Sequence, residues 1–424
     1  MTSDENKTQL KGSAASARAP AGKLAGVTIC ALNYLPKAVA TRESFLAAHD
    51  GADFYIVIVD RRDEEAIAPF SRCAAIWAED LGVENFEQYA FMYDIIELST
   101  NIKPAVLSRL LGDYEKVLYL DPDIVVYREL EPALARLDSS SIVVTPHSLT
   151  PVLDGESPSD LDFLRFGTFN LGFIGVRAGE EARAFLAWWG SRCLLHGFYE
   201  PQMGLAVDQG WMDLAPCYFP GLSILREVGM NMAFWNLHER TLSKDPQGNY
   251  LVNGDRPLYF FHFSSFAADD PHAIANKQSR FKPGSRPDLH ELLDDYAKSL
   301  RANDSTGLIA HPYSYERFAS GEVITPALRR FYAANFDSLR DELDPFSADS
   351  KTLAWAKKHH LIGTQAHGGK RLNFKDLGRY SGQTRIIQGF LSLMLRILGP
   401  DRYFNLMRYM VFISSIRNQK DVLR

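Results

Sequence analysis

Val27-Thr28-Ile29-Cys30-Ala31-Leu32 and Phe54-Tyr55-Ile56-Val57-Ile58-Val59 are nearly continuous apolar runs rich in β-branched residues. Runs this short, bounded by polar turns, read as parallel strands covered on both faces. Thr41–His49 between them fits a helix, with Asn33-Tyr34-Leu35-Pro36 as the loop at the first strand's end. Glu65–Glu79 is mixed with helical character, and Ile102–Leu111 reads as a helix with Pro104 in its first turn. Lys116–Leu120 and Ile142–Thr145 are the next strands. Alternation of strands and helices at this spacing predicts a mostly parallel α/β sheet. Ligands of such sheets bind beyond the carboxyl ends of the strands, where Asn33, Asp60 and Asp121 fall.

Phe169–Val176 is a strand interrupted by two glycines, which marks close approach of another backbone or a ligand. An amphipathic helix over Glu180–Cys193 follows, then strand candidates at Leu214–Pro220 and Pro257–Phe263. Beyond about residue 290 the strand signals fade. Leu289–Leu300, Pro326–Glu342, Lys351–His359, Gln383–Ile397 and Tyr403–Arg417 read as helices. The expected organisation is a polar, disordered tail over 1–24, an α/β domain over 25–290, and a helical extension over 291–424.

Composition narrows the classes. A chain of 424 residues with 46% hydrophobic and 23% charged positions can bury a large core and is not a disordered polyelectrolyte. Its net charge of -6 argues against a nucleic-acid binder. Cys30, Cys73, Cys193 and Cys217 form neither a disulfide framework nor a metal knuckle, so a reducing compartment is expected. The first 23 residues lack the apolar core of a signal peptide, and no apolar run approaches the roughly 20 residues that span a bilayer. Glycine-rich dinucleotide and phosphate loops are absent, as is Gly-x-Ser-x-Gly.

The chemistry concentrates at Tyr119-Leu120-Asp121-Pro122-Asp123. These acids lie past the strand's end, and Pro122 favours a turn that converges both on one ion. Carboxylate oxygens suit Mg²⁺ or Mn²⁺, which commonly also bind substrate phosphates. An ordinary acidic turn is the plainer alternative. Three further segments join it: Phe169-Asn170-Leu171-Gly172, Asp208-Gln209, and Phe261-His262-Phe263. Taken singly, Asn170 could be a turn residue, Asp208 a helix cap and His262 a satisfied core histidine.

In this order the segments resemble those of GT-A-fold, retaining, metal-dependent glycosyltransferases of family 8, the group of glycogenin and bacterial lipopolysaccharide galactosyl- and glucosyltransferases. The resemblance spans roughly residues 26–285. It implies a GT-A fold, a Rossmann-like mixed and mostly parallel sheet, followed here by the helical extension. It implies Mn²⁺ or Mg²⁺ on Asp121, Asp123 and His262, and a nucleotide-diphosphate sugar donor, most readily a UDP-sugar. Asn33, Tyr34 and Asp60 would contact base or ribose. Lys103 or Arg109 would reach the donor, and Asp208, Gln209 and Asn170 would lie near the transferred sugar as the catalytic group. The family's Gly-x-x-Lys-Pro-Trp segment is missing after His262, so the diphosphate cation is expected at Lys277 or Arg280. The acceptor implied is a glycan or lipid-linked saccharide of bacterial surface polysaccharide or lipopolysaccharide synthesis. The rival classes are a nucleotide-sugar hydrolase or nucleotidyltransferase, and an inactive carbohydrate-binding protein.

Charge is unevenly spread. Residues 351–424 carry a balance of +11, leaving -17 on the rest. Their basic residues alternate with aromatic and aliphatic ones, a pattern suited to an anionic membrane surface and equally to a helix packed on the body. The expected location is the cytoplasm, with peripheral attachment to the inner face of the plasma membrane.

Overall fold

β1 (Leu24–Cys30) lies beside β2 (Asp53–Ile58) in parallel register, with α1 (Leu35–Ala48) crossing between them. The chain is seen here in a computed structural model that describes residues 23–304, 306–363 and 381–419; the expected disordered tail falls almost wholly outside that range. Both strands are apolar and buried on both faces because helices cover the sheet on each side. β3 (Ala74–Trp77) adds in parallel to β2 at the edge. Its Ala-Ala-Ile-Trp is too short and too weakly patterned to stand out of the mixed Glu65–Glu79 segment.

On the other side of β1 comes β4 (Lys116–Leu120), preceded by α2 (Lys103–Leu110). β5 (Ile124–Val126) leaves the main sheet, and β6 (Ile142–Pro146) returns to it. β7 (Phe169–Arg177) inserts antiparallel between β4 and β6. After α3 (Glu180–His196), β8 (Leu222–Ile224) closes the far edge in parallel with β6. The sheet order is β8-β6-β7-β4-β1-β2-β3, a mixed, mostly parallel Rossmann-like sheet with a GT-A-like core. The strand expected over Leu214–Pro220 is instead a short helical turn, Ala215–Tyr218. Pro216 sits in that turn's first residues, where its missing N–H leaves nothing unpaired, and the edge strand starts after Gly221.

β9 (Phe260–His262) pairs antiparallel with β5 and sets His262 opposite Ile124. α4 (His290–Asn303) follows and packs its apolar face within the same compact unit, which runs to Tyr313 and so extends beyond residue 290. A second compact unit comprises Glu87–Ile96 and the chain from Ser314. Here the buried Arg329 of α5 (Pro326–Ala334) donates to the carbonyls of Ala90, Phe91, Tyr93 and Tyr315, and the Phe91 ring meets those of Phe318, Tyr332 and Phe346 in tilted and edge-on contacts. Further helices at Lys351–Lys358, α6 (Ser381–Leu398) and α7 (Pro400–Ser414) give the second unit the expected helical character.

Candidate metal and donor site

The buried Lys116–Leu120 strand ends at Asp121, whose backbone N–H donates to the Gly172 carbonyl of β7. Pro122 then turns the chain, and the Ile124 N–H closes the turn on the Asp121 carbonyl. Thr41 of α1 donates its hydroxyl to the Pro122 carbonyl at 2.8 Å. The Asp123 carbonyl accepts from Phe263, next to His262. A turn locked on three sides swings both carboxylates toward β9. His262 Nε2 lies 3.0 Å from Asp123 Oδ1 and 3.7 Å from Asp121 Oδ2.

One ligand atom from each of the three lies within 4.8 Å of the others. Two carboxylates and an imidazole form a competent donor set for a divalent cation, so the residues present fit Mn²⁺ or Mg²⁺. The electrostatics agree. Burial pushes the His262 imidazole down, but the Asp123 and Asp121 carboxylates outweigh it and hold it above its ordinary value. Burial pushes the Asp123 carboxyl up, yet His262 and, more weakly, Lys37 bring it below the usual carboxylate range. The pocket thus draws positive charge onto itself, which a bound cation would satisfy in place of a proton. Tyr119 completes the surroundings by donating its hydroxyl to Asp121 at 2.7 Å.

Behind this group lies a buried ion pair. Lys103 Nζ donates to Asp208 Oδ2 at 2.7 Å and to the Leu171 carbonyl at 2.8 Å, with both side chains almost wholly excluded from solvent. The same ammonium lies over the Tyr119 ring, 4.3 Å from its centre. Burial pushes the Asp208 carboxyl up, and Lys103 offsets part of that rise. Val207, just before it, holds a left-handed φ of 47°, a conformation that strains a β-branched residue. Trp189 Nε1 donates to the Asp208 carbonyl and fixes the backbone there.

Gln209 and Asn170 are engaged with protein. Gln209 Oε1 accepts from Leu171 N–H and its amide donates to the Phe166 carbonyl. Asn170 Oδ1 accepts from Gly172 N–H and from Asn231 Nδ2. Asn33, Tyr34 and Asp60 gather at the carboxyl ends of β1 and β2. Asp60 is buried and accepts from Leu32 N–H, which holds the loop carrying Asn33. Among the described residues Asn33 Oδ1 is buried without a hydrogen-bond partner, and Tyr34 is exposed under the Lys37 ammonium.

Not every expected residue reaches the site. Arg109 sits in the last turn of α2, at the opposite end of β4 from Asp121, and its exposed guanidinium pairs with Asp113. Arg280 is committed to Asp154 and the Pro158 carbonyl, tying its loop to the segment after β6. Lys277 lies on that same loop, after the Pro271–Ala273 turn. Lys37, in the first turn of α1, adds a weaker positive influence on Asp123, and no sequence signal separates it from an ordinary helix lysine.

Sequence reading also misses the support of His262. Its N–H donates to the Met232 carbonyl, and Trp235 lies edge-on to its ring at 5.0 Å. The fully buried Asn231 and Asn236 brace that segment, Asn231 onto Thr145 and Asn170, Asn236 onto the His147 and Asn231 carbonyls. Asn231 has a φ of 52°, a region asparagine tolerates better than most residues. The asparagines at 231 and 236, five apart in an apolar stretch, were the visible trace of this network.

No family model matches the chain. Over 211 residues it is 28% identical to the uncharacterized protein YfnF of Bacillus subtilis (strain 168), covering 48% of this chain and 67% of that protein. Over 225 residues it is 23% identical to YfnD of the same organism, covering 51% of this chain and 70% of that protein. Among solved structures it is similar to the galactosyltransferase LgtC in complex with donor and acceptor sugar analogs. The TM-score is 0.41 at 16% identity, over 65% of this chain and 95% of that one.

Proposed function

We propose that the chain is a metal-dependent glycosyltransferase. It moves a hexose-type sugar, with retention, from a nucleotide-diphosphate sugar to a glycan or lipid-linked saccharide acceptor in bacterial surface-polysaccharide or lipopolysaccharide synthesis. The observation that carries this is the convergence of Asp121, Asp123 and His262 at the carboxyl edge of the sheet, directly before the buried Lys103–Asp208 pair. A divalent ion held there would act as a Lewis acid on the leaving diphosphate. Asn33, with an unpartnered buried oxygen, and the Asp60-braced loop offer the base and ribose a polar edge; a UDP-sugar is the first donor to test. Lys37, whose charge is felt at Asp123, would add positive charge for the diphosphate. Lys103 keeps a cation beside Asp208, so that a carboxylate can stay oriented toward the sugar in a water-poor pocket.

The test is calorimetry of Mn²⁺ and UDP with the parent, Asp121→Asn and Asp123→Asn, followed by turnover of a nucleotide-sugar set with product analysis. Both variants should fold normally and lose metal-dependent UDP binding by about 100-fold or more, since losing a ligand exceeds the roughly 10–100-fold effect of outer-shell changes. Parent-like binding and turnover in both would refute the assignment. Sugar release independent of any acceptor would make the enzyme a hydrolase instead.

A further inference from the structure

The second unit ends in two helices that the proposed chemistry does not use. α6 and α7 are joined at Gly399, whose φ of 76° turns the chain sharply, and Pro400 starts the second helix. They meet at that junction, and none of the described side chains between 385 and 414 is buried. The end of α7 is finished rather than frayed: Asn418 Nδ2 and Gln419 Nε2 donate to the Phe412 and Ile413 carbonyls. Ser415 is buried, and the Ile416–Asn418 turn rests on α5 of the same unit.

The two helices leave large apolar side chains in solvent. Ile386 is 75% exposed, Phe390 59%, Ile397 72%, Phe404 62% and Phe412 52%. Soluble monomers seldom keep an apolar patch of this kind open, and such patches mark interaction surfaces. Neither helix is long and apolar enough to cross a membrane. Arginines interleave with the apolar positions: Arg385, Arg396, Arg402 and Arg408 stand against one acid, Asp401. The Arg408 guanidinium lies 6.0 Å over the Phe404 ring, so an apolar anchor and a cation share one spot.

We propose that α6 and α7 are an in-plane anchor for an anionic lipid surface. The apolar side chains enter the boundary of headgroups and acyl chains, and the guanidiniums pair with lipid phosphates at the same depth. Charge decides against a second copy of the chain as the occupant, because a self-complementary face would set these arginines against one another. The inference concerns residues outside the transferase site and does not rest on that reading.

The test uses the full chain, vesicles of phosphatidylcholine with about one-third phosphatidylglycerol, and vesicles of phosphatidylcholine alone. The parent should sediment with the anionic vesicles at low salt, at least tenfold more tightly than with neutral ones, and rising salt should weaken it. Each Arg→Gln change among Arg385, Arg396, Arg402 and Arg408 should reduce anionic binding about fivefold. Phe390→Ser with Phe412→Ser should reduce binding to both vesicles while leaving the melting temperature unchanged, as expected for exposed positions. Parent-like binding by both variant sets, or a parent that ignores vesicles and instead dimerises through this face in sedimentation velocity, would overturn the proposal. Mn²⁺ affinity, measured in parallel, should be the same in all of these variants, so failure of the anchor is distinct from failure of the metal site.

Discussion

Gly172→Ala is the sharpest probe of the proposed metal site. A Cβ built on Gly172 falls 2.4 Å from His262 Cε1, 2.7 Å from Nδ1 and 2.8 Å from Asn170 Oδ1. Carbon atoms in contact sit about 3.5–4.0 Å apart, so roughly 1 Å of movement is required. β7 is held at this point by β4, whose chain continues into the Asp121 N–H bond to the Gly172 carbonyl, while its pairing with β6 is interrupted between Phe169 and Ile174. His262 must move, against the grip of Met232 and Trp235. Metal sites tolerate displacements of only about 0.2 Å in ligand distance. The expected result is a loss of Mn²⁺ affinity of about 10–100-fold, the range seen when ligand orientation is disturbed. Overpacking should destabilise the fold by about 1–3 kcal/mol. Gly175→Ala is the matched control: its Cβ meets Leu118 Cδ2 at 2.9 Å and Leu137 Cδ1 at 3.1 Å, on the core side of the same strand. It should lower the melting temperature and leave Mn²⁺ affinity intact. Calorimetric titration with Mn²⁺ and thermal melts of both variants decide the matter; a Gly172→Ala protein that binds Mn²⁺ like the parent would refute the reasoning.

Lys103→Met should destabilise the protein by about 3–5 kcal/mol in chemical denaturation, because it leaves the Asp208 carboxyl buried without its cation; adding Asp208→Asn should restore part of that loss, and no restoration would contradict the pairing. Burial pushes the His147 imidazole down to about 4, below its value of about 6.5 in the unfolded chain, which therefore binds more protons in between. Stability should fall as pH drops from about 6.5 to about 4, by up to about 3 kcal/mol, and level off below. Metal-free denaturation curves across that range should show a slope that His147→Gln flattens; an unchanged slope would assign it to other groups.

What the sequence determined by itself is local. Lys116–Leu120 had to be a buried strand because five residues carry four apolar side chains ahead of a proline turn, and the same holds for β1, β2 and β7. The two acids of the turn and the helical character of the C-terminal region were legible for the same reason: strand, turn and helix propensities act over a few residues. The resemblance of four motifs in order then suggested that they meet. Whether they do is a matter of pairing and burial across the chain. His262 became a neighbour of Asp123 only because β9 aligns with β5, and Lys103 became Asp208's partner only because α2 packs against α3 and β4. The same logic carried Arg109 to the far end of β4, brought in Lys37 unannounced, and made a short helical turn of Ala215–Tyr218 within the expected Leu214–Pro220 strand. A lysine on a helix has one local signature whether it faces solvent or an acidic pocket. Its charge becomes chemistry when folding removes the water around it, and that desolvation belongs to the tertiary structure alone.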